Sequence, residues 1–314
     1  MTRTALAAFA LVCAVSSAFA QQYKADVPPS ITTPDSVDTR IGTLKFFDGL
    51  PDAATVQKAY DQIDLGRGIE AFLSGMPAAS VYALCEGLDK AGIKRNQGIG
   101  MTENLMDARS LYLTPNSTTV YVFMCLDLRA GPMVVQVPPN VLGPVDDAYF
   151  RYVTDVGLVG PDQGKGGKYL FVPPGYTDSV SDGYFVQKPR TNGILIFYRA
   201  FVQGGDIAAA VRGVKAAARV YPLSAAANPP ATTFVNTSGL KYNTIHANNF
   251  HFYEELNEVI QSEPGDAFDP ELVGLFASIG GSYAFEDNGE RMLDARTLFH
   301  YYATGITPAM PASL

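Results

Sequence analysis

The fold of this chain is decided by residues 119–202, which begin TVYVFMCLDL (119–128) and end NGILIFYRAFV (192–202). Within this stretch β-branched and aromatic residues follow a period of two, and turns containing Gly, Pro or Asp separate short runs. The pattern predicts six strands: TVYVFMCLDL, PMVVQVP, DAYFRYVTDVGLVG, KYLFVPP, GYFVQKP and NGILIFYRAFV. Because no helical pattern lies between them, we expect antiparallel pairing in a β-sandwich or a small barrel.

Helical patterns flank the strands on both sides. Apolar residues recur at helical spacing from Pro51 to Leu73, with Gly66 and Gly68 as a break, and a second helix is expected from Pro77 to Gly92. After the strands, helices are expected following the cap Asp206 and over residues 249–261, 270–279 and 290–304. The sequence therefore predicts a mainly β chain of the α+β class, with an N-terminal helix pair and a C-terminal helical segment.

The first twenty residues have the layout of a cleavable secretory signal peptide. Arg3 precedes an uncharged apolar run over residues 5–15, and Ala18 and Ala20 supply the small residues before a cleavage site. We expect cleavage after Ala20 and a periplasmic or extracellular location. The remaining chain divides into an extended lead-in (21–48), a β-rich domain with N-terminal helices (49–223) and a connector with a helical segment (224–314).

Composition limits the partners that we expect. The 314 residues carry a net charge of -8, which disfavours nucleic acid and anionic membrane surfaces. After the signal we expect no stretch that is long and apolar enough for stable membrane insertion. The hydrophobic fraction of 47% is typical of a globular chain with a sizeable core, and the oligomeric state is not indicated.

Two cysteines, Cys85 and Cys125, remain after the signal, which removes Cys13. An exported protein can keep a disulfide, and a bond here would close a loop worth on the order of 3 to 4 kcal/mol. Both residues also occupy positions with an apolar pattern, which favours two buried free thiols. Neither is part of a C-x-x-C pair, so a simple metal or redox site is not indicated.

Polar side chains within the predicted strands are candidates for a ligand site. Strand alternation places Arg151 and Asp155 on one face, and Arg199 interrupts an otherwise apolar strand. In a closed barrel these groups and Tyr121 would line the interior, with Asn116 nearby, as a site for a small polar ligand or glycan. The alternative is a buried structural ion pair, since structural networks gather the same groups.

A glycine-rich loop between two strands is a candidate anion site. It contains Gly164, Lys165, Gly166, Gly167 and Lys168, and successive backbone amides of such a loop can form an anion-binding concavity. Its spacing is not that of a phosphate-binding P-loop, and a strand follows it instead of a helix. The alternative is a flexible connection between strands.

The three histidines do not form a metal site by spacing. His246 and His251 are five residues apart, so a helix would turn them to different faces, and His300 is distant in sequence. His251 shares a face with three glutamates, which an exposed acidic surface explains better. Ser282 lies in a GGSYA segment that lacks the second glycine of a nucleophile elbow. We therefore expect neither a metal nor a cofactor.

Three stretches resemble a known bacterial family. They are GIEAFLSGMPAASVYAL (68–84), TPNSTTVYVFMCLDLRAGPMVVQVPP (114–139) and YFRYVTDVGLVGPDQGKGGKYLFVPPGY (149–176), and the glycine-rich part of the last is the most specific. They are similar to the family of domain of unknown function 1254, and the similarity extends to about residue 223. The resemblance implies an exported β-rich domain without an established activity. Family members usually continue into a domain of unknown function 1214, so the resemblance implies a chain truncated before that domain.

One local difference from the family concerns Thr118, which lies between Asn116 and Tyr121 where many members carry an acidic residue.

Taken together, the sequence favours an exported protein that binds a small polar ligand or glycan through Asn116, Tyr121, Arg151, Asp155 and Arg199. One alternative is a hydrolase-type enzyme with Asp155 as general base and an arginine stabilising negative charge. The other alternative is a truncated product lacking its second domain.

Overall fold

The computed structural model of the chain describes residues 26–113 and 115–279. These residues form two compact units, one up to Ile63 and one from Asp64 onward. The expected signal peptide, the helix over 290–304, Ser282 and His300 lie outside the described residues.

The smaller unit contains a three-stranded antiparallel sheet in the order β1-β2-β3. Its strands are β1 (Ser36–Thr39), β2 (Gly42–Phe47) and β3 (Leu50–Pro51), and most of their side chains are exposed. The polar segment expected as an extended lead-in therefore contains paired strands. The first turns of helix α1 (Ala53–Lys90) also belong to this unit, and Asp52 begins the helix by accepting a hydrogen bond from the Thr55 backbone N–H.

The larger unit contains two sheets. One has six strands in the order β13-β4-β5-β11-β7-β8, and the other has four in the order β10-β9-β6-β12. The strands are β4 (Gly98–Met101), β5 (Val120–Asp127), β6 (Met133–Val137), β7 (Val141–Asp147), β8 (Tyr152–Gly157), β9 (Gly167–Phe171), β10 (Phe185–Gln187), β11 (Gly193–Ala200), β12 (Arg219–Pro222) and β13 (Thr233–Asn236).

The two sheets share one hydrophobic core. Even-numbered residues of β5 and β11, such as Val122 and Ile196, pack with residues of the four-stranded sheet, such as Val135 and Phe171. Helix α2 (Ile207–Ala217) adds Val211 to this core, and its N-terminus is capped by the Asp206 side chain. The α+β class is confirmed. The sheets pack as separate layers and form no closed barrel in the described part of the chain.

Pairing is antiparallel except at two sheet edges. Strand β10 runs parallel to β9, and β13 runs parallel to β4. Neither β4 nor β13 was expected, because each has four residues and β13 lies in a segment rich in Pro, Ala and Thr. The expected strand from Asp147 begins instead with a turn in which Phe150 has a φ of 59°, and only β8, from Tyr152, is extended there. Strand β7, which ends at Asp147, was not expected either.

Helix α1 corrects the expectation of an N-terminal helix pair. It continues from Ala53 to Lys90 through Gly66, Gly68 and Pro77. A proline inside a helix costs about 3 kcal/mol and a glycine about 1 kcal/mol. Burial of the C-terminal half, where Ala71, Ala78 and Ala79 are fully covered, explains why packing outweighs these costs.

By length and composition alone, α1 is also apolar enough to cross a membrane. This corrects the expectation that no stretch after the signal meets that criterion. Buried core helices of soluble proteins meet the same criterion. Side chains of the C-terminal half, including Val81, Cys85 and Leu88, pack against strand β5 residues in a hydrophobic cluster.

Cys85 of α1 and Cys125 of β5 form a disulfide, so the expectation of two free thiols is wrong. Their Cα atoms are 5.9 Å apart because α1 packs across the face of the sheet where Cys125 points. An apolar sequence pattern predicts burial for each cysteine separately. It does not indicate that two buried cysteines face each other across a helix and a strand.

The C-terminal helices are confirmed within a few residues. Helix α3 (His251–Ser262) and helix α4 (Pro270–Ser278) pack with α1 and with Tyr149 in a second cluster. Phe252 and Phe276 are the large buried side chains that these two helices contribute. The glutamate that follows α3, Glu263, accepts hydrogen bonds from the backbone N–H groups of Asn192 and Gly193.

Candidate ligand site

A cavity of about 300 Å³ lies on the face of the six-stranded sheet that also carries Cys125. Odd-numbered residues of β5 and β11 point to this face, because the even-numbered ones fill the core between the sheets. The cavity lies beside helix α1 and the segment that leads from β13 to α3 (residues 237–250), which we call the connector. We call it the ring cavity, and it is lined by Ser80, Leu84, Tyr112, Leu113, Pro115, Tyr121, Phe123, Phe150, Phe197, Arg199, Thr244, Ile245 and His246.

Three aromatic rings form one wall of the ring cavity. Phe123 stacks with Tyr112 at a centroid distance of 5.2 Å and with Tyr121 at 5.7 Å. The Tyr112 hydroxyl is 2.6 Å from the Tyr242 hydroxyl. Burial, together with Tyr242, raises the pKa of Tyr112 far above its ordinary value. The wall therefore presents neutral aromatic surface, which suits a ligand with a flat apolar face.

Tyr121 and Arg199 are the two predicted site residues that line the ring cavity. They are opposite each other in the antiparallel register of β5 and β11. Tyr121 is buried, and its hydroxyl accepts a hydrogen bond from the Asn116 backbone N–H at 3.2 Å. Arg199 is exposed, and among the described residues it has no hydrogen bond or ion pair. Asn116 thus contributes through its backbone, which positions the Tyr121 hydroxyl.

The connector forms the opposite wall and is held by close contact with α1. A Cβ on Gly87 would be 2.2 Å from the Asn243 carbonyl oxygen, so only glycine permits this approach. The Thr244 hydroxyl donates to the Leu111 carbonyl oxygen at 2.6 Å. His246 follows, with Nδ1 at 2.9 Å from the Ala247 carbonyl oxygen. The connector residues were not predicted, because no periodic pattern identifies them.

Arg151 lies outside the ring cavity in a structural network. Its Nε donates to Asp147 Oδ2 at 2.8 Å, and an Nη donates to the Ala267 carbonyl oxygen at 2.7 Å. The Asp147 side chain is 4% exposed. Because its guanidinium pairs with Asp147 and donates to the Ala267 carbonyl, Arg151 corresponds to the structural alternative and not to a free ligand contact. Arg151 lies in the turn between β7 and β8 and not within a strand. The strand alternation that predicted its position therefore does not apply to it.

Asp155 also lies outside the ring cavity, although it is on the same face of the sheet. Asp155 of β8 is opposite Pro144 of β7, and Arg199 of β11 is opposite Leu142 of the same strand. Because Leu142 and Pro144 are two residues apart, Asp155 and Arg199 point to the same face. The Asp155 carboxylate accepts a hydrogen bond from the Tyr152 hydroxyl at 3.1 Å and forms no ion pair among the described residues. The hydrolase hypothesis, which requires Asp155 in a cleft, stays a prediction.

Asp146 is a carboxyl group that the sequence did not single out. It is 6% exposed on β7, opposite Leu195. Burial, with the charges of Asp147 and Asp155, raises the pKa of Asp146 to about 6. The sequence pattern does not predict the burial of Asp146, because a β-bulge between Val145 and Asp146 changes the strand register locally.

The glycine-rich loop is closed around an internal carboxylate. Asp162 is 3% exposed, and its two oxygens accept from the Gly157 N–H, the Gly166 N–H and the Tyr169 hydroxyl. The backbone N–H groups of Gly164 and Lys165 donate to carbonyl oxygens within the loop. Gly167 and Lys168 belong to β9 and pair with β6. The amides that an external anion would need are thus engaged, which favours a structural role for the loop.

Metal ligands are not grouped in the described part of the protein: residues 26–113 and 115–279 contain no cluster of three His, Cys, Asp or Glu side chains placed to hold a metal ion. His251 pairs with Glu254 on the exposed surface of α3.

Comparison with known proteins supports the fold. Residues 96–222 match the family model described as "Protein of unknown function (DUF1254)". The fold is similar to the crystal structure of the VPA0106 protein from Vibrio parahaemolyticus, with a TM-score of 0.51 and 15% sequence identity. The similarity covers 77% of this chain and 58% of that protein, so the chain matches little more than half of its length. No curated protein matches the sequence.

Proposed function

We propose that this protein is an exported binding protein that holds a small molecule with a flat apolar face in the ring cavity. The observation that carries the proposal is the stacked wall of Tyr112, Phe123 and Tyr121 beside the exposed Arg199. Ligand sites are mostly apolar concave pockets of about 300–1,000 Å³ with a few convergent polar groups. The ring cavity has this composition and lies at the small end of that range.

The size and lining favour one ring over an extended glycan. Aromatic rings and the apolar faces of sugar rings both stack on aromatic side chains. With Arg151 paired to Asp147, Tyr121 and Arg199 are the predicted site residues that contribute polar groups to the cavity, beside the lining residues Ser80, Thr244 and His246. The ligand that fits is therefore a single-ring molecule with one polar group, and binding itself is the proposed activity.

The proposed location is outside the cytoplasm. Two observations support it: the signal-like layout of residues 1–20 and the Cys85–Cys125 disulfide. Disulfides persist in oxidising compartments and are rare in the cytosol. Fractionation of bacteria expressing the full gene, with N-terminal sequencing, should find the protein in the periplasm or medium beginning at Gln21. A cytoplasmic protein that keeps Met1 would contradict this location.

The binding proposal is tested by filling the ring cavity. Native mass spectrometry of the purified wild-type protein, followed by a thermal-shift screen of single-ring compounds, should detect a bound molecule. Leu84→Trp places a larger side chain in the cavity and should abolish binding. The matched control is Leu158→Trp, at an exposed position outside the cavity, and it should bind as the wild type does. Absence of any ligand in the wild type, or equal binding by all three proteins, would overturn the proposal.

A further inference from the structure

Arg199 is a cation that lines the ring cavity and has no carboxylate partner within residues 26–113 and 115–279. The side chain is exposed and forms no ion pair or hydrogen bond with any residue that the structure describes. Arg95 pairs with Glu86 and Asp89, and Arg151 pairs with Asp147, whereas the exposed Arg212 of α2, outside the cavity, also has no partner among the described residues. Arg199 therefore keeps its planar donor group available at the cavity.

The charge of the lining has one sign. Its described residues include one arginine and one histidine, and no aspartate or glutamate. The whole chain has 31 acidic and 23 basic residues, so an acid-free cavity is not what its composition favours. A cavity with aromatic walls, one arginine and no acidic residue in its described lining favours anions over cations.

The hydroxyl groups in the lining differ in whether they donate a hydrogen bond to the protein. Ser80 donates to the Met76 carbonyl oxygen, and Thr244 donates to the Leu111 carbonyl oxygen. Tyr121 accepts from the Asn116 N–H, and its own proton has no acceptor among the described residues. The Tyr121 hydroxyl and the Arg199 guanidinium, on directly opposed residues, are thus two donors of the cavity that have no acceptor among the described residues.

We infer that the ring cavity recognises a ring-bodied carboxylate, with the ring against the aromatic wall and the carboxylate bound by Arg199 and Tyr121. This inference rests on the proposed function, because it names the class of ligand for the same cavity. A guanidinium binds a carboxylate through two parallel hydrogen bonds, and a phenol adds a third donor. Two sources share this chemistry: an aromatic acid, such as a benzoate, and a sugar acid, such as a uronate.

The test compares acids with uncharged partners of the same shape. Isothermal titration of the full protein would use benzoate against benzamide, and glucuronate against glucose. Each charge-assisted hydrogen bond contributes more than a neutral one, so the recognised acid should bind at least about tenfold more tightly than its neutral partner. Which pair shows the preference identifies the source as aromatic or sugar acid.

Two variants assign the preference to Arg199. Arg199→Gln should lose the preference for the acid while it retains the weaker binding of the neutral partner. Arg212→Gln removes the same charge from an exposed position of α2 outside the cavity and should leave the preference unchanged.

The outcomes separate the two proposals. If acid and neutral partner bind the wild type equally, the carboxylate inference is overturned and the binding function stands. If no member of the panel binds and no other single-ring compound does, the proposed function fails, and the inference fails with it. If Arg199→Gln keeps the full preference for the acid, the assignment of Arg199 is overturned.

Discussion

Arg199 of β11 is directly opposite Tyr121 of β5, and both side chains line the same cavity although they are distant in sequence. In contrast, Arg151 and Asp155 are four residues apart and share no contact, because Arg151 pairs with Asp147 and Asp155 with the Tyr152 hydroxyl. Cross-strand register, and not sequence proximity, therefore determines which polar groups belong to the site.

Removing Arg151 should destabilise the protein without affecting binding. Arg151→Ala leaves Oδ2 of the 4% exposed Asp147 carboxylate and the Ala267 carbonyl without the guanidinium donor and removes the charge that balances Asp147, which should cost about 2 to 4 kcal/mol of unfolding free energy. Urea denaturation measures this cost. The control is Arg129→Ala, which breaks an exposed pair with Asp127 and should cost less than about 1 kcal/mol. Similar costs for the two variants would contradict the structural role of Arg151.

The disulfide should contribute strongly to stability. The double variant Cys85→Ala with Cys125→Ala should lose on the order of 3 to 4 kcal/mol, because the bond restricts a long loop in the unfolded chain. Urea denaturation with and without a reducing agent is the measurement. The reductant should destabilise the wild type and leave the double variant unchanged. A reductant effect of equal size on both proteins would show that the disulfide is not its cause.

The carboxylate of Asp162 should hold the glycine-rich loop. Asp162→Ala leaves three buried donors unpaired, on Gly157, Gly166 and Tyr169, and should cost about 3 kcal/mol or more. Chemical denaturation tests this, with Asp182→Ala at an exposed position as the control. Lys165→Gln should change neither stability nor phosphate binding. Phosphate binding that Lys165→Gln weakens would restore the anion-loop hypothesis.

Stability should fall as the pH rises from about 4 to about 7. The raised pKa of Asp146, about 6, and of Glu263, about 7, means that the folded state holds protons that the unfolded state has already released in this range. The pKa of Asp127 is lowered, so Asp127 is ionised in both the folded and the unfolded state above about pH 4. It therefore does not change the free energy of unfolding between about pH 4 and pH 7.

Asp146→Asn isolates one of these two groups. The variant should be more stable than the wild type at pH 7.5 by on the order of 1 to 3 kcal/mol, and the difference should disappear near pH 4. Urea denaturation at both pH values is the measurement. A wild-type pH slope that the substitution leaves unchanged would show that Asp146 does not titrate in this range.

Gly87 should be required for the cavity wall. In Gly87→Ala the added methyl group would overlap the Asn243 carbonyl oxygen and displace the connector, at a cost of about 1 to 3 kcal/mol and with weaker ligand binding. Gly213→Ala is the matched control, because that helical glycine has open space around it, and the change should stabilise α2 by up to about 1 kcal/mol. Thermal denaturation and titration of a bound compound measure both effects.

The sequence predicted the elements whose signal is local. Alternation over 119–202 gave the strands around Val122, Val135 and Ile196, and the capping residue Asp206 marked the start of α2. Alternation also places Phe123 on the face of Tyr121, so one member of the aromatic wall had a signal. The connector residues Thr244 and His246 had none, since their positions depend on contact with α1.

Where the sequence was wrong, the deciding interaction was non-local. The break expected at Gly66 and Gly68 and the second helix expected to start at Pro77 did not form, because burial of residues such as Ala71, Ala78 and Ala79 outweighs the cost of glycine and proline inside α1. The cysteines were expected as free thiols, but packing of α1 on β5 brings them into a disulfide. Arg151 was expected to share a face with Asp155, but the turn after Asp147 interrupts the alternation.

By itself, the sequence determined the α+β class, the positions of β5, β6, β8, β9, β10 and β11, and an arginine in a strand that would otherwise be apolar, because these depend on residue type and short-range periodicity. The tertiary structure alone decided that Arg151 is ion-paired while Arg199 has no ion pair in the part of the chain that the structure describes. The physical reason is that an ion pair forms between groups that the folded backbone brings within a few ångströms. That backbone places Asp147 beside Arg151 and an aromatic cavity beside Arg199.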